Sequence, residues 1–157
     1  MPISSHPPVP VEFVTISRSL VDDLIAYGRE RLPFEACGLL LGCREGGFIA
    51  VSGLAPVRNV HPRPERAFRF APDDWIRAAY AAQRNRQQLV GFFHSHPGGG
   101  IAPSRSDEEG WTGGGVCAIV GLAAGTPGGR DRVAIYEPDS QTANWRQVPV
   151  RTIQRLK

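Results

Sequence analysis

The stretch ACGLLLG at residues 36–42 is apolar on both faces, and QLVGFFHSH at 88–96 is apolar until its last residues. Side chains alternate between the two sides of a strand, so such runs belong in the middle of a sheet that is covered on both faces. That requirement constrains the fold more than any other feature of the chain. The cover comes from two amphipathic stretches. Leu20, Val21, Leu24, Ile25, Tyr27 and Leu32 recur at helical spacing, which predicts a helix over 18–31, ended by Pro33. A second helix is expected to begin at Asp73 or Asp74, with Trp75, Ile76, Ala79, Tyr80 and Ala82 on its inner side.

Further strands are expected at VEFVTI (11–16), at FIAVSGL, which follows the Gly46-Gly47 turn, and at AFRF (67–70). VCAIVGLAA (116–124), RVAIYEP (132–138) and NWRQVPV (144–150) complete the set. The fold class is α/β: one mixed sheet, two main helices and a short helix after the loop that follows residue 96. The length of 157 residues fits one domain over 11–157, behind a proline-rich, flexible tail at 1–10.

Composition narrows the function by exclusion. A net charge of +3 is too mild to imply a nucleic-acid partner. No apolar run approaches the ~20 residues of a membrane span, and the N-terminus lacks the cationic start and apolar core of a secretory signal. A soluble, cytoplasmic protein is expected. Cys37, Cys43 and Cys117 form no CxxC pair and are expected as buried, reduced, metal-free thiols.

The chemistry concentrates in HSHPGGGIAPSRSD (94–107). Residues two apart on a strand share a face about 6.6 Å apart along the chain, so His94 and His96 can aim at one point while Ser95 faces away. A catalytic zinc takes three protein ligands and keeps a fourth position for water. Asp107, reached through a loop softened by Gly98, Gly99 and Gly100, is the natural third ligand. SRSD and SDEE also match the helix-capping pattern, which accounts for Asp107 but for neither histidine. If Ser106 and Glu109 do the capping, Asp107 is left for the metal. A hydrolytic zinc also needs a carboxylate outside its ligand set to accept a proton. Glu35 in LPFEACG is the candidate, although its context alone reads as a solvent-facing loop residue.

The pattern H-S-H-P-x(6)-S-R-S-D, preceded by P-x-E-x-C-G-L-L-L-G, closely resembles the JAMM (MPN+, Mov34/PAD-1) family of zinc metallopeptidases, compact prokaryotic type. The likeness runs over roughly residues 11–150, where Asn59 and FRFAPDD also fit. It implies one zinc per chain on His94, His96, Asp107 and a water, with Glu35 as proton shuttle and Ser104 as stabiliser of the oxyanion. It further implies hydrolysis of an isopeptide or peptide bond after the Gly-Gly end of a ubiquitin-like or sulfur-carrier protein. The length favours a small sulfur carrier, and Arg58, Arg63, Arg66 and Arg69 are candidates for steering an acidic one. A non-catalytic MPN scaffold and a phage-tail or cell-wall peptidase are the alternatives. The intact ligand set argues against the scaffold.

Overall fold

The computed structural model describes residues 9–105, 107, 115–123, 129–139 and 144–154. The tail expected at 1–10 lies outside them up to residue 8. The chain opens with β1 (Phe13–Ser17), which runs straight into α1 (Arg18–Glu30). Ser17 caps that helix by accepting the Leu20 N–H at 3.2 Å, worth about 1 kcal/mol. Leu24 is fully buried, with Leu20, Val21, Ile25 and Tyr27 packed beside it on the core.

Strands β2 (Cys37–Glu45) and β3 (Phe48–Val57) form the expected hairpin, turning through Gly46 at a φ of 57° that favours glycine. After α2 (Pro72–Arg84) come β4 (Gln88–His96), β5 (Val116–Gly121), β6 (Arg132–Pro138), β7 (Trp145–Gln147) and β8 (Val150–Ile153). They make one eight-stranded mixed sheet in the order β7-β6-β5-β4-β2-β3-β1-β8. The β1–β3, β1–β8 and β4–β5 pairs are parallel, and the other pairs antiparallel. As the two-faced sequences require, β2 and β4 are neighbours near the middle of the order. The core cluster of Leu40, Phe93, Val116 and Val120 packs with Leu24 of α1; a second cluster sets Leu39, Leu41 and Phe92 against α2.

Four expectations are corrected. NWRQVPV is not one strand. It breaks at Val148-Pro149, so that β7 and β8 lie on opposite edges of the sheet. Pro149 has no N–H to give to a ladder; its carbonyl accepts the Val14 N–H, while Val148 donates to Ile135. Two residues therefore link the outermost strands, which requires the sheet to curl until its edges approach. The curl is fastened where the Glu137 carboxylate accepts the Val11 N–H and pairs with Arg146.

AFRF is not a strand either; its one ladder element is an isolated bridge between Asn59 and Phe70. Helix α2 begins at Pro72, a position where the missing N–H costs nothing. It is also rotated from the expected phase: Trp75, Ala78 and Ala82 face the sheet, while Ile76 (48% exposed) and Tyr80 (63%) face outward. Small alanines let the helix sit close to Leu39, Leu41 and Phe92. Finally, Cys43 is exposed, because a register shift at Leu41/Gly42 carries the end of β2 beyond the core; Cys37 and Cys117 are buried as expected. Helical backbone appears at Arg105 and Asp107, and the remainder of the third helix lies outside the described residues. Among the described residues, no helix is long and apolar enough to cross a membrane.

Candidate metal centre

β4 ends the sheet's central run on His94, Ser95 and His96, and the alternation of the strand sends both imidazoles to one side. His94 is fully buried and stacks on the Phe68 ring, with centroids 4.6 Å apart. Its Nε2 lies 3.1 Å from Asp107 Oδ1, and His96 Nε2 lies 3.0 Å from Asp107 Oδ2. The two Nε2 atoms are 3.1 Å apart. The three residues proposed from spacing therefore converge on one point.

The rings are oriented from behind. His96 Nδ1 sits 2.9 Å from the Gly100 carbonyl, so an Nδ1–H donated there keeps Nε2 turned toward the cluster, where it gives its proton to Asp107 when the ring is charged and offers a lone pair when it is neutral. The loop that presents this carbonyl is itself held. Gly99 takes a φ of 95° and donates its N–H to His96, and the Tyr136 hydroxyl of β6 donates to Ile101 at 2.7 Å. His94 Nδ1 faces the buried Cys117 thiol at 3.7 Å.

Asp107 faces both histidines and also closes a capping box. Its Oδ2 accepts the Ser104 N–H at 2.8 Å, and Ser104 Oγ accepts the Asp107 N–H at 3.0 Å, a reciprocal capping box. Capping and metal presentation are not exclusive here, because an ionised carboxylate offers about four lone-pair sites. Asp107 thus needs no release by Ser106 and Glu109, which lie outside the described residues.

Glu35 is the clearest departure from its local sequence context. It stands between α1 and β2 yet is only 4% exposed. Its N–H donates to Pro64 at 2.7 Å, and its carbonyl accepts from Asn59 Nδ2 at 3.1 Å. Asn59 also donates to Ala67 and accepts the His61 and Arg69 N–H groups, folding the 59–69 loop over the glutamate. This use of the Asn59 side chain replaces the strand expected at AFRF. The ligand atoms of Glu35, His94, His96 and Asp107 all lie within 4.8 Å of one another. Among the described residues, Glu35 Oε1 is buried without a hydrogen-bond partner.

The electrostatics differ from residue to residue. Burial pushes the Glu35 carboxyl up to about 7, with His96 pulling it down and Asp107 pushing it further up. Burial holds His94 below its ordinary value. It works against charge on His96 too, but the Asp107 hydrogen bond and charge raise that pKa overall. Burial likewise opposes ionisation of Asp107, yet the hydrogen bonds from His94 and His96 hold it well below the usual carboxylate range. Cys37, two residues after Glu35, is pushed up to about 12 by burial, so it stays a thiol. Two imidazoles and an ionised carboxylate suit a borderline divalent cation such as zinc. The orphaned Glu35 oxygen, desolvated beside them, fits a water held by that ion.

Residues 17–136 match the family Prok-JAB, prokaryotic homologs of the JAB domain. The chain belongs to that family. The JAMM/MPN resemblance drawn from its motif is thereby met. This Prok-JAB chain is 32% identical over 92 residues to the desampylase of Haloferax volcanii, a match covering 56% of this chain and 65% of the relative. It is 34% identical over 92 residues to a probable TtuB-protein conjugate cleaving protease of Thermus thermophilus, covering 59% of each. The matched stretch is thus less than two thirds of either relative.

Among solved structures, protein DSY2949 of Desulfitobacterium hafniense superposes with a TM-score of 0.79 at 24% identity, over 92% of this chain and 95% of its own. A Salinibacter ruber protein gives 0.67 at 26%, over 88% and 90%. These likenesses agree with the mixed, curled sheet and two helices.

Sequence reasoning proposed all four clustered residues but missed their supports. Phe68, Cys117 and Tyr136 reach the site from segments distant in sequence, and Ser95 supports it from the far face of β4. Asn59 stood out only as part of the resemblance. Of the four arginines, Arg58 is committed to Asp74 at the start of α2, at 2.8 Å. Arg63, Arg66 and Arg69 are exposed.

Proposed function

We propose that this Prok-JAB chain is a zinc-dependent peptidase or isopeptidase that hydrolyses the bond after the Gly-Gly C-terminus of a ubiquitin-like or sulfur-carrier protein. One observation carries the reading: a buried carboxylate, Glu35, with an unpartnered oxygen beside a complete His94/His96/Asp107 set. A scaffold has no use for an uncompensated buried carboxyl. The names of the two curated relatives, a desampylase and a TtuB-conjugate protease, support a ubiquitin-like substrate.

Zinc held by His94, His96 and Asp107 would supply a Lewis acid and lower the pKa of its water to about 7. Glu35, excluded from the ligand set, accepts the proton of the attacking water and returns it to the leaving amine. Its low exposure keeps the proton from bulk solvent between those steps. Ser104 already accepts the Asp107 N–H, which leaves its O–H to donate to the substrate carbonyl oxygen as negative charge develops there. Gly-Gly, having no side chains, suits a narrow approach to such a site. The free thiols fit a reducing, cytoplasmic setting.

The test is cleavage of carrier proteins ending in Gly-Gly fused to a short peptide or to a lysine side chain. Wild type releases the leaving group after the second glycine, and a chelator stops it. Tight binding of carrier with no cleavage of any fusion contradicts the proposal and favours the scaffold.

A further inference from the structure

Ser95 lies between the two metal-binding histidines, and its side chain points to the opposite face of β4, where it is 1% exposed. It is not idle there. The Ser95 N–H donates to the Ala36 carbonyl at 2.9 Å, and the Ala36 N–H donates to Ser95 Oγ at 2.8 Å. In a hydrogen-bonded antiparallel pair the second bond would go to the Ser95 carbonyl; here the hydroxyl takes it. Both backbone groups of Ala36 are thus bound to one residue. Ala36 directly follows Glu35 and precedes Cys37, the register partner of His94. On the other side of Glu35, its N–H and carbonyl are taken by Pro64 and Asn59.

We infer that Ser95 is a positioning residue, whose hydroxyl fixes Glu35 relative to the ligand histidines by holding the Ala36 amide. The inference rests on the reading of Glu35 as the proton shuttle. Its logic is geometric. The ligands ride on β4, whereas the base rides on the segment entering β2. Misplacing a reacting group by about 1 Å can cost 10²-fold in rate, so the two elements need a fixed connection near the site. Ser95 supplies it from within the ligand motif itself.

The experiment compares wild type, Ser95→Ala and Ser95→Cys as zinc-loaded, full-length proteins. Turnover of a Gly-Gly fusion is read beside zinc affinity from chelator competition. Cysteine is close to serine in size but is a weak acceptor, so it tests the hydrogen bond with little change in packing. Ser95→Ala is expected to lose about 10–100-fold in kcat, with KM and zinc affinity within about twofold of wild type, as for a contact that acts only in the transition state. Ser95→Cys should fall in between.

Either of two results overturns the inference: alanine and cysteine variants that turn over like wild type, or a rate loss matched by equal zinc loss. The latter would make Ser95 a support for the metal strand. Should wild type cleave no fusion, the functional proposal fails instead. Ser95 is then judged by the Glu35 carboxyl carbon resonance in the free protein. A shift in Ser95→Ala supports the link, and an unmoved resonance rejects it.

Discussion

On one side of the site, His94, His96 and Asp107 meet one another at 3.0–3.1 Å, and every polar atom has a partner. On the other side, Glu35 is buried just as deeply but keeps an oxygen that no group among the described residues satisfies. Both sides carry ionisable groups out of water, which is costly unless charge is compensated. The ligand side compensates internally and holds its charge, with Asp107 kept well below the usual carboxylate range. The base side does not, and its carboxyl is pushed up to about 7. The His94/His96/Asp107 cluster therefore satisfies its own polar atoms. Glu35 bears an uncompensated cost, as expected of a group placed for proton transfer rather than for stability.

Breaking the ligand side has the largest expected effect. His96→Ala removes one of three donors, so nearly all bound zinc and all measurable turnover should be lost, as metal analysis and the fusion assay would show. A variant with full zinc would remove His96 from the ligand set. A smaller, graded loss should follow from Tyr136→Phe. That change deletes only the hydroxyl that ties Ile101, next to the Gly100 carbonyl that orients His96. Groups supporting a ligand in this way are typically worth 10–100-fold in metal affinity, and a zinc affinity about 10-fold weaker is expected by chelator competition. Unchanged affinity would show that the loop holds its place without the hydroxyl.

The smallest effect tests the strain on the base side, in metal-free protein. A carboxyl whose pKa rises on folding favours the folded state only while protonated. The Glu35 penalty is therefore absent below the ordinary carboxylate range, grows as pH rises past about 4.5, and is complete above about 7. Glu35→Gln removes it. The melting temperature of chelated Glu35→Gln should exceed that of chelated wild type by a few degrees at pH 8, with the gap closing toward pH 4. A gap independent of pH would contradict the assignment.

The same contrast explains what the sequence could reveal. The ligand side is written in one short stretch, where the period of a strand and the capping pattern place His94, His96, Ser104 and Asp107. The central strands were legible for a similar reason, since residues 36–42 and 88–96 are apolar on both faces. What escaped depends on contacts distant in sequence. The phase of α2 was decided by how closely Ala78 and Ala82 approach the sheet, not by the larger apolar Ile76 and Tyr80. The split at Val148-Pro149 follows from a sheet that curls until both edges need a strand. Glu35 looks solvent-facing from its neighbours because its partners are distant in sequence: Pro64 and Asn59 on its backbone, and His94, His96 and Asp107 beside its carboxyl.

If His94, His96 and Asp107 hold the metal while Glu35 moves the proton, the two roles separate in one variant. Zinc content and turnover measured together on Glu35→Gln test this most directly. Glutamine keeps the size of glutamate and can still hydrogen-bond a water, but it cannot accept the proton. Glu35→Gln should carry about one zinc per chain, as in wild type, with cleavage slowed roughly 10²–10⁴-fold, the usual worth of a positioned acid–base group. A variant that cleaves as fast as wild type, or that loses its zinc along with its activity, would contradict that division of roles.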